Sequence, residues 1–119
     1  MPSEEAGTLD AGDILWVDFG APVGHEQGGR RPAVVLTPNH YNTRSSLLVV
    51  CPITRKVRDW PFEVRLPDAG QLNGVVLVDQ IKVIDPAARP ISYAGRLPSD
   101  VLGEVKARLA ALLGIPVSN

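Results

Sequence analysis

The 119-residue sequence predicts one mainly β domain, a small, strongly curved antiparallel sheet or barrel that carries a C-terminal helix. Three observations predict it. Five to seven short apolar runs rich in Val, Ile and aromatic residues are separated by connections bearing Pro, Gly and Asn. Only residues 98–114 show helical periodicity. The hydrophobic fraction, 45%, is ordinary for a globular chain, and no run approaches the ~20 apolar residues of a membrane helix.

Each element follows in order. Residues 1–11 read as a loose tail. "DILWVDF" (13–19) sets Ile14 and Trp16 against Leu15, Val17 and Phe19, as a strand does. "GHEQGGRRP" (24–32) is a flexible, charged loop, and "RPAVVLT" (31–37) is a second strand with Pro32 tolerable at its opening. "PNHYNTRSS" (38–46) reads as a turn-rich connection. The unbroken apolar character of "LLVVCPIT" (47–54) predicts a strand buried on both faces. A charged loop leads to "FEVRL" (62–66), which alternates as a half-exposed strand, and "PDAGQLNG" (67–74) contains a turn. "VVLVDQIKVID" (75–85) is the longest strand candidate, and "PAARPISYAGRL" (86–97) is irregular, with room for one short strand. In the helix, Val101, Leu102, Val105, Leu109, Leu112 and Leu113 form an apolar stripe between Pro98 and Gly114. The expected boundaries are a flexible tail over 1–11, one domain over 12–115 and a C-terminal tail over 116–119.

Composition narrows the chemistry. Cys51, the single cysteine, ends an apolar run and reads as a small buried hydrophobe, with no intramolecular disulfide. His25 and His40 are the only histidines and lack zinc-ligand spacing, so no metal is expected. P-loop, GxGxxG and GxSxG motifs are absent, and no cofactor is expected. The acidic N-terminus has no basic or apolar leader, which predicts a cytoplasmic protein with no membrane partner. Net charge is −1, yet residues 30–58 hold Arg30, Arg31, Arg44, Arg55, Lys56 and Arg58 and no acid. That segment is a candidate polyanion footprint.

If the second and third strands pair antiparallel, Arg31 and Thr54 meet at one end of the sheet, where the loop carrying His25 and Glu26 also arrives. Cation, hydroxyl and carboxylate then converge. Such a set suits phosphoryl transfer within RNA, because the 2′-hydroxyl is the nucleophile and the protein need supply only a base, a charge stabiliser and an acid. Arginine donates bidentately to phosphate, and Gly28 and Gly29 let backbone approach it.

These residues carry a resemblance. "GDILWVDF", "GHEQGGRRPAVVLTPNHYN", "VVCPITRKVRDWPFEVRLP", "GVVLVDQIKVID" and "LPSDVLGEVKARLAALLG" are similar, in that order from Gly12 to Gly114, to the MazF/PemK family of toxin endoribonucleases. The resemblance implies an SH3-like (PemK/CcdB-like) β-barrel with a C-terminal helix, and a homodimer inhibited by a MazE-like antitoxin. It implies metal-independent cleavage of single-stranded RNA that leaves a 2′,3′-cyclic phosphate and a 5′-hydroxyl. The catalytic set falls on Arg31, Thr54 and Glu26, and RNA-binding positions on Arg30, His25, Gln27, Arg55, Lys56 and Asp79. His25, Arg30, Arg55 and Leu77 depart from residues common in the family and bear on which RNA sequence is cut. Two other readings use the same fold. A CcdB-like inhibitor of DNA gyrase needs no Arg31–Thr54–Glu26 set, and a peptide-binding module needs an aromatic groove, for which only Trp60 and Tyr41 lie in expected loops.

Overall fold

A computed structural model describes residues 4–67 and 72–116 of the chain. In order come helix α1 (Glu4–Gly7), strands β1 (Asp13–Asp18) and β2 (Arg30–Val35), helix α2 (Asn39–Ser45), strands β3 (Leu48–Thr54), β4 (Glu63–Arg65), β5 (Val75–Leu77), β6 (Lys82–Ile84) and β7 (Ile91–Arg96), and helix α3 (Ser99–Leu113). The sheet runs β4-β5-β3-β2-β1-β7, with β6 also on β3, and every pairing is antiparallel. Among the described residues no ladder joins β4 to β7, so the sheet is open and the expected closed barrel is not formed.

Alternation along β1, β2 and β3 builds a core on each face of the sheet. Ile14, Val34, Cys51 and Ile53 point to one face, with Val64, Val76, Leu97 and the α3 residue Val105. Leu15, Val17, Ala33, Val35, Leu48 and Val50 point to the other. Burial of β3 on both faces is the reason its sequence is continuously apolar.

Three expectations change. The run 75–85 is two short strands with a 3₁₀ turn, Val78–Gln80, between them. Val50 of β3 faces Lys82, whereas Ile53 faces Val76, so the partner chain uses six residues where β3 uses three. The surplus is the turn. The change of partner coincides with Pro52, which has no N–H to donate to a ladder. The connection 38–46 contains helix α2 rather than turns alone. Pro38 at its N-cap gives no side-chain cap, but the Asp10 carboxylate accepts the Asn39 N–H at 2.9 Å from outside the helix. That amide, with the amide of Ala11, holds the Asp10 carboxyl below its ordinary pKa. The segment read as a loose tail is tied down by the same contacts. Asn39 Nδ2 donates to the carbonyls of Gly7 and Leu9, and fully buried Asn42 donates to those of Leu9 and Thr37. Ala6 and Leu9 thereby join the second core face. The turn expected over 67–74 and the tail over 116–119 lie partly outside the described residues. No helix among the described residues is long and apolar enough to cross a membrane.

Candidate functional site

The β1–β2 register opposes Val17 to Arg31 and Asp18 to Arg30, at the mouth of the sheet. The β2–β3 register opposes Ala33 to Pro52, so two residues further on Arg31 and Thr54 end the same edge. The β1–β2 loop is pinched shut by Phe19 N–H donating to Gly29 O at 2.9 Å and Gly29 N–H to Gly20 O at 2.6 Å. A Cβ on Gly28 would lie 2.5 Å from the Pro22 nitrogen, so only glycine fits that crossing. The Gly28 carbonyl accepts from Arg31 Nε at 2.8 Å and leaves the guanidinium's terminal nitrogens as donors. Gln80, from the 3₁₀ turn, clamps the loop from the far side. Its Oε1 accepts the Gln27 N–H at 2.8 Å and its Nε2 donates to the His25 carbonyl at 3.4 Å.

Two depressions meet at this edge and share Thr54 and Lys56. One, of about 460 Å³, contains Trp16, Arg30, Arg31, Thr54, Arg55 and Lys56, and no acid among the described residues lines it. Arg30 lies over the Trp16 ring at 4.9 Å and donates to Ser92 Oγ at 3.4 Å, which fixes its position. The other, of about 300 Å³, contains His25, Gln27, Trp60, Asp79 and Gln80. The Thr54 hydroxyl oxygen accepts the Lys56 N–H at 3.3 Å, so its proton remains for a ligand. Four cations around the first hollow attract an anion, and the shared threonine adds a neutral donor at its rim.

The structure brings together Arg31, Thr54, Arg30, Arg55 and Lys56 in the first depression, and His25, Gln27 and Asp79 in the second. Glu26 lines neither, and its carboxylate pairs with Lys82 at 3.1 Å. Arg44, counted in the basic segment, is in the last turn of α2 and lines neither depression. Behind the site Cys51 is fully buried, and desolvation, with the Asp79 charge, pushes its thiol up to about 12. It is packing and not a nucleophile. Sequence reasoning missed Trp16, Gln80 and Trp60 as site residues. Trp16 was readable only as a strand residue, and its place beside Arg30 depends on the β1–β2 register.

The profile of the PemK-like, MazF-like toxins of type II toxin–antitoxin systems matches residues 10–113. The chain is 40% identical over 105 residues to the endoribonuclease toxin MazF of Escherichia coli K12, covering 88% of this chain and 94% of that one. It is 36% identical to the endoribonuclease PemK of Escherichia coli, covering 88% of this chain and 82% of that one. A crystal structure of MazF from Deinococcus radiodurans superposes with a TM-score of 0.83 at 44% identity, covering 89% of this chain and 96% of that one. A MazE–MazF crystal structure from the same organism gives 0.80, also at 44% identity, covering 91% of this chain and 97% of that one. These matches give no support to the gyrase-inhibitor reading. The chain therefore belongs to the PemK-like, MazF-like toxin family.

Proposed function

We propose that this chain is the endoribonuclease toxin of a type II toxin–antitoxin pair, acting in the cytoplasm as a homodimer and silenced by a MazE-like antitoxin. It cuts single-stranded RNA at specific sequences without a metal ion. The observation that carries this reading is the hollow of Arg30, Arg31, Arg55 and Lys56 with Thr54 on its rim. Family membership and the antitoxin complexes of similar toxins support it.

In this reading the scissile phosphate lies between Arg31 and Thr54. The 2′-oxygen attacks phosphorus, the bond to the 5′-oxygen breaks, that oxygen takes a proton from water, and the products are a 2′,3′-cyclic phosphate and a 5′-hydroxyl. The Arg31 fork and the Thr54 hydroxyl stabilise the extra negative charge of the phosphorane. Glu26 takes the 2′-hydroxyl proton. To do so it must exchange Lys82 for the sugar, and its exposed side chain can turn while Gln80 holds the loop backbone. Incubation of purified protein with single-stranded RNA in excess EDTA tests the reading. Cleavage is expected, and its loss under chelation would contradict the metal-free route.

A further inference from the structure

The 300 Å³ depression holds an exposed tryptophan whose backbone is unusually well fixed. Trp60 is 46% exposed. Its ring meets Phe62 edge-on at 5.3 Å. Just beneath it Glu63 is buried, and the carboxylate accepts the N–H groups of Arg58 and Asp59 at 3.0 Å. The Glu63 N–H returns to the Trp60 carbonyl at 3.0 Å, and the Pro61 carbonyl accepts from Arg108 of α3. The chain thus ties down residues 58–63 on both sides of a large apolar ring and leaves that ring facing water. Such a surface points to a flat, apolar ligand.

The rest of the lining says what the ligand's edge must offer. Gln80 is occupied at both ends by the β1–β2 loop. Asp79 is exposed and makes no hydrogen bond or ion pair among the described residues, so its carboxylate is an open acceptor. Gln27 and His25 line the same depression. The depression is at the small end of ligand-sized cavities, and it adjoins the phosphate hollow through Thr54 and Lys56. A nucleotide next to the scissile phosphate would deliver its base here.

We propose that Trp60 is the stacking platform of a base-reading pocket, in which Asp79 accepts from the exocyclic amine of an unpaired adenine, cytosine or guanine. Uracil has no exocyclic amine, and its N3–H is flanked by two carbonyl oxygens that the carboxylate repels, so the pocket disfavours it. This inference rests on the nuclease reading above and adds a specificity residue to it.

The test uses the full chain and an RNA oligonucleotide that it cleaves, with an abasic site placed at each position in turn. For the wild type, one position near the cut should lower kcat/KM by about 5- to 150-fold, the worth of one base–aromatic stack. Trp60→Phe keeps a ring and should stay within about threefold of wild type. Trp60→Leu keeps apolar volume without a ring. It should lose the full factor and become insensitive to the abasic site at that one position, while the other positions keep their effects. Uracil there should be rejected by wild type and tolerated by Asp79→Asn. The proposal is overturned if Trp60→Leu cleaves like wild type, or if it is slower with every abasic effect unchanged. The second result would assign the ring to a peptide contact or to folding. Wild type that accepts uracil equally would overturn the Asp79 role. A chain that cleaves no RNA overturns the nuclease reading together with this pocket.

Discussion

In the proposed mechanism Arg31 bears the largest chemical burden among the site residues. Its Nε is committed to the Gly28 carbonyl, so the planar fork is aimed before any phosphate arrives. Arg31→Ala should lower kcat by 10²–10³-fold, the usual cost of one transition-state donor, as measured on a cleavable oligonucleotide. The side chain is only half-buried, so the melting temperature should barely change. A wild-type rate would remove Arg31 from the mechanism. Its position was legible in the sequence because antiparallel pairing of two adjacent strands brings Arg31 and Thr54 to one edge. Glu26 was less so. A loop carboxylate is placed by contacts distant in sequence, here with Lys82, and no local pattern reports them. Trp60 was visible as a loop aromatic, but no periodic pattern reports the local Glu63 bonds that hold its backbone, and the Arg108 contact to Pro61 is a tertiary feature.

At the scale of elements, the departures from local pattern share one cause. The strand pattern of 75–85 is genuine on both sides of Val78–Gln80, but propensity cannot report that the partner strand loses its donor at Pro52. Helix α2 was hidden because its cap comes from Asp10, 29 residues away, and its polar residues are spent on holding the N-terminal segment. Asn42 is the centre of that attachment. It is fully buried, donates to two carbonyls, and accepts from the Thr37 hydroxyl at 2.6 Å. Asn42→Ala removes the donor to the Thr37 carbonyl and the acceptor of the Thr37 hydroxyl, while the Leu9 carbonyl keeps Asn39, and should destabilise the fold by about 2–3 kcal/mol, read by chemical denaturation. Loss of less than a few tenths would mean that water replaces the amide. Helix α3 was the most legible element, since its stripe, opening proline and closing glycine agree, and Gly114 takes the left-handed cap at φ 69°.

Over the whole molecule, charge and exposed apolar surface both point outward to partners. The basic hollow belongs to one edge of one small domain, and a two-fold axis would join two such hollows into a longer channel. Tyr93, Leu113 and Ile115 are each more than half exposed. Binding of a non-cleavable RNA should weaken steeply with salt, with a slope of about −0.7 per neutralised phosphate on a log–log plot. A fully active monomer in sedimentation at micromolar concentration would contradict the shared channel. The most direct test of the central claim is the identity of the product ends. Single-stranded RNA cut by this chain in excess EDTA should carry a 2′,3′-cyclic phosphate upstream and a 5′-hydroxyl downstream by mass spectrometry, and a 2′-deoxy substitution at the cut should abolish cleavage. Undiminished cutting of the 2′-deoxy substrate, or a 3′-phosphate formed with no cyclic precursor, would contradict it.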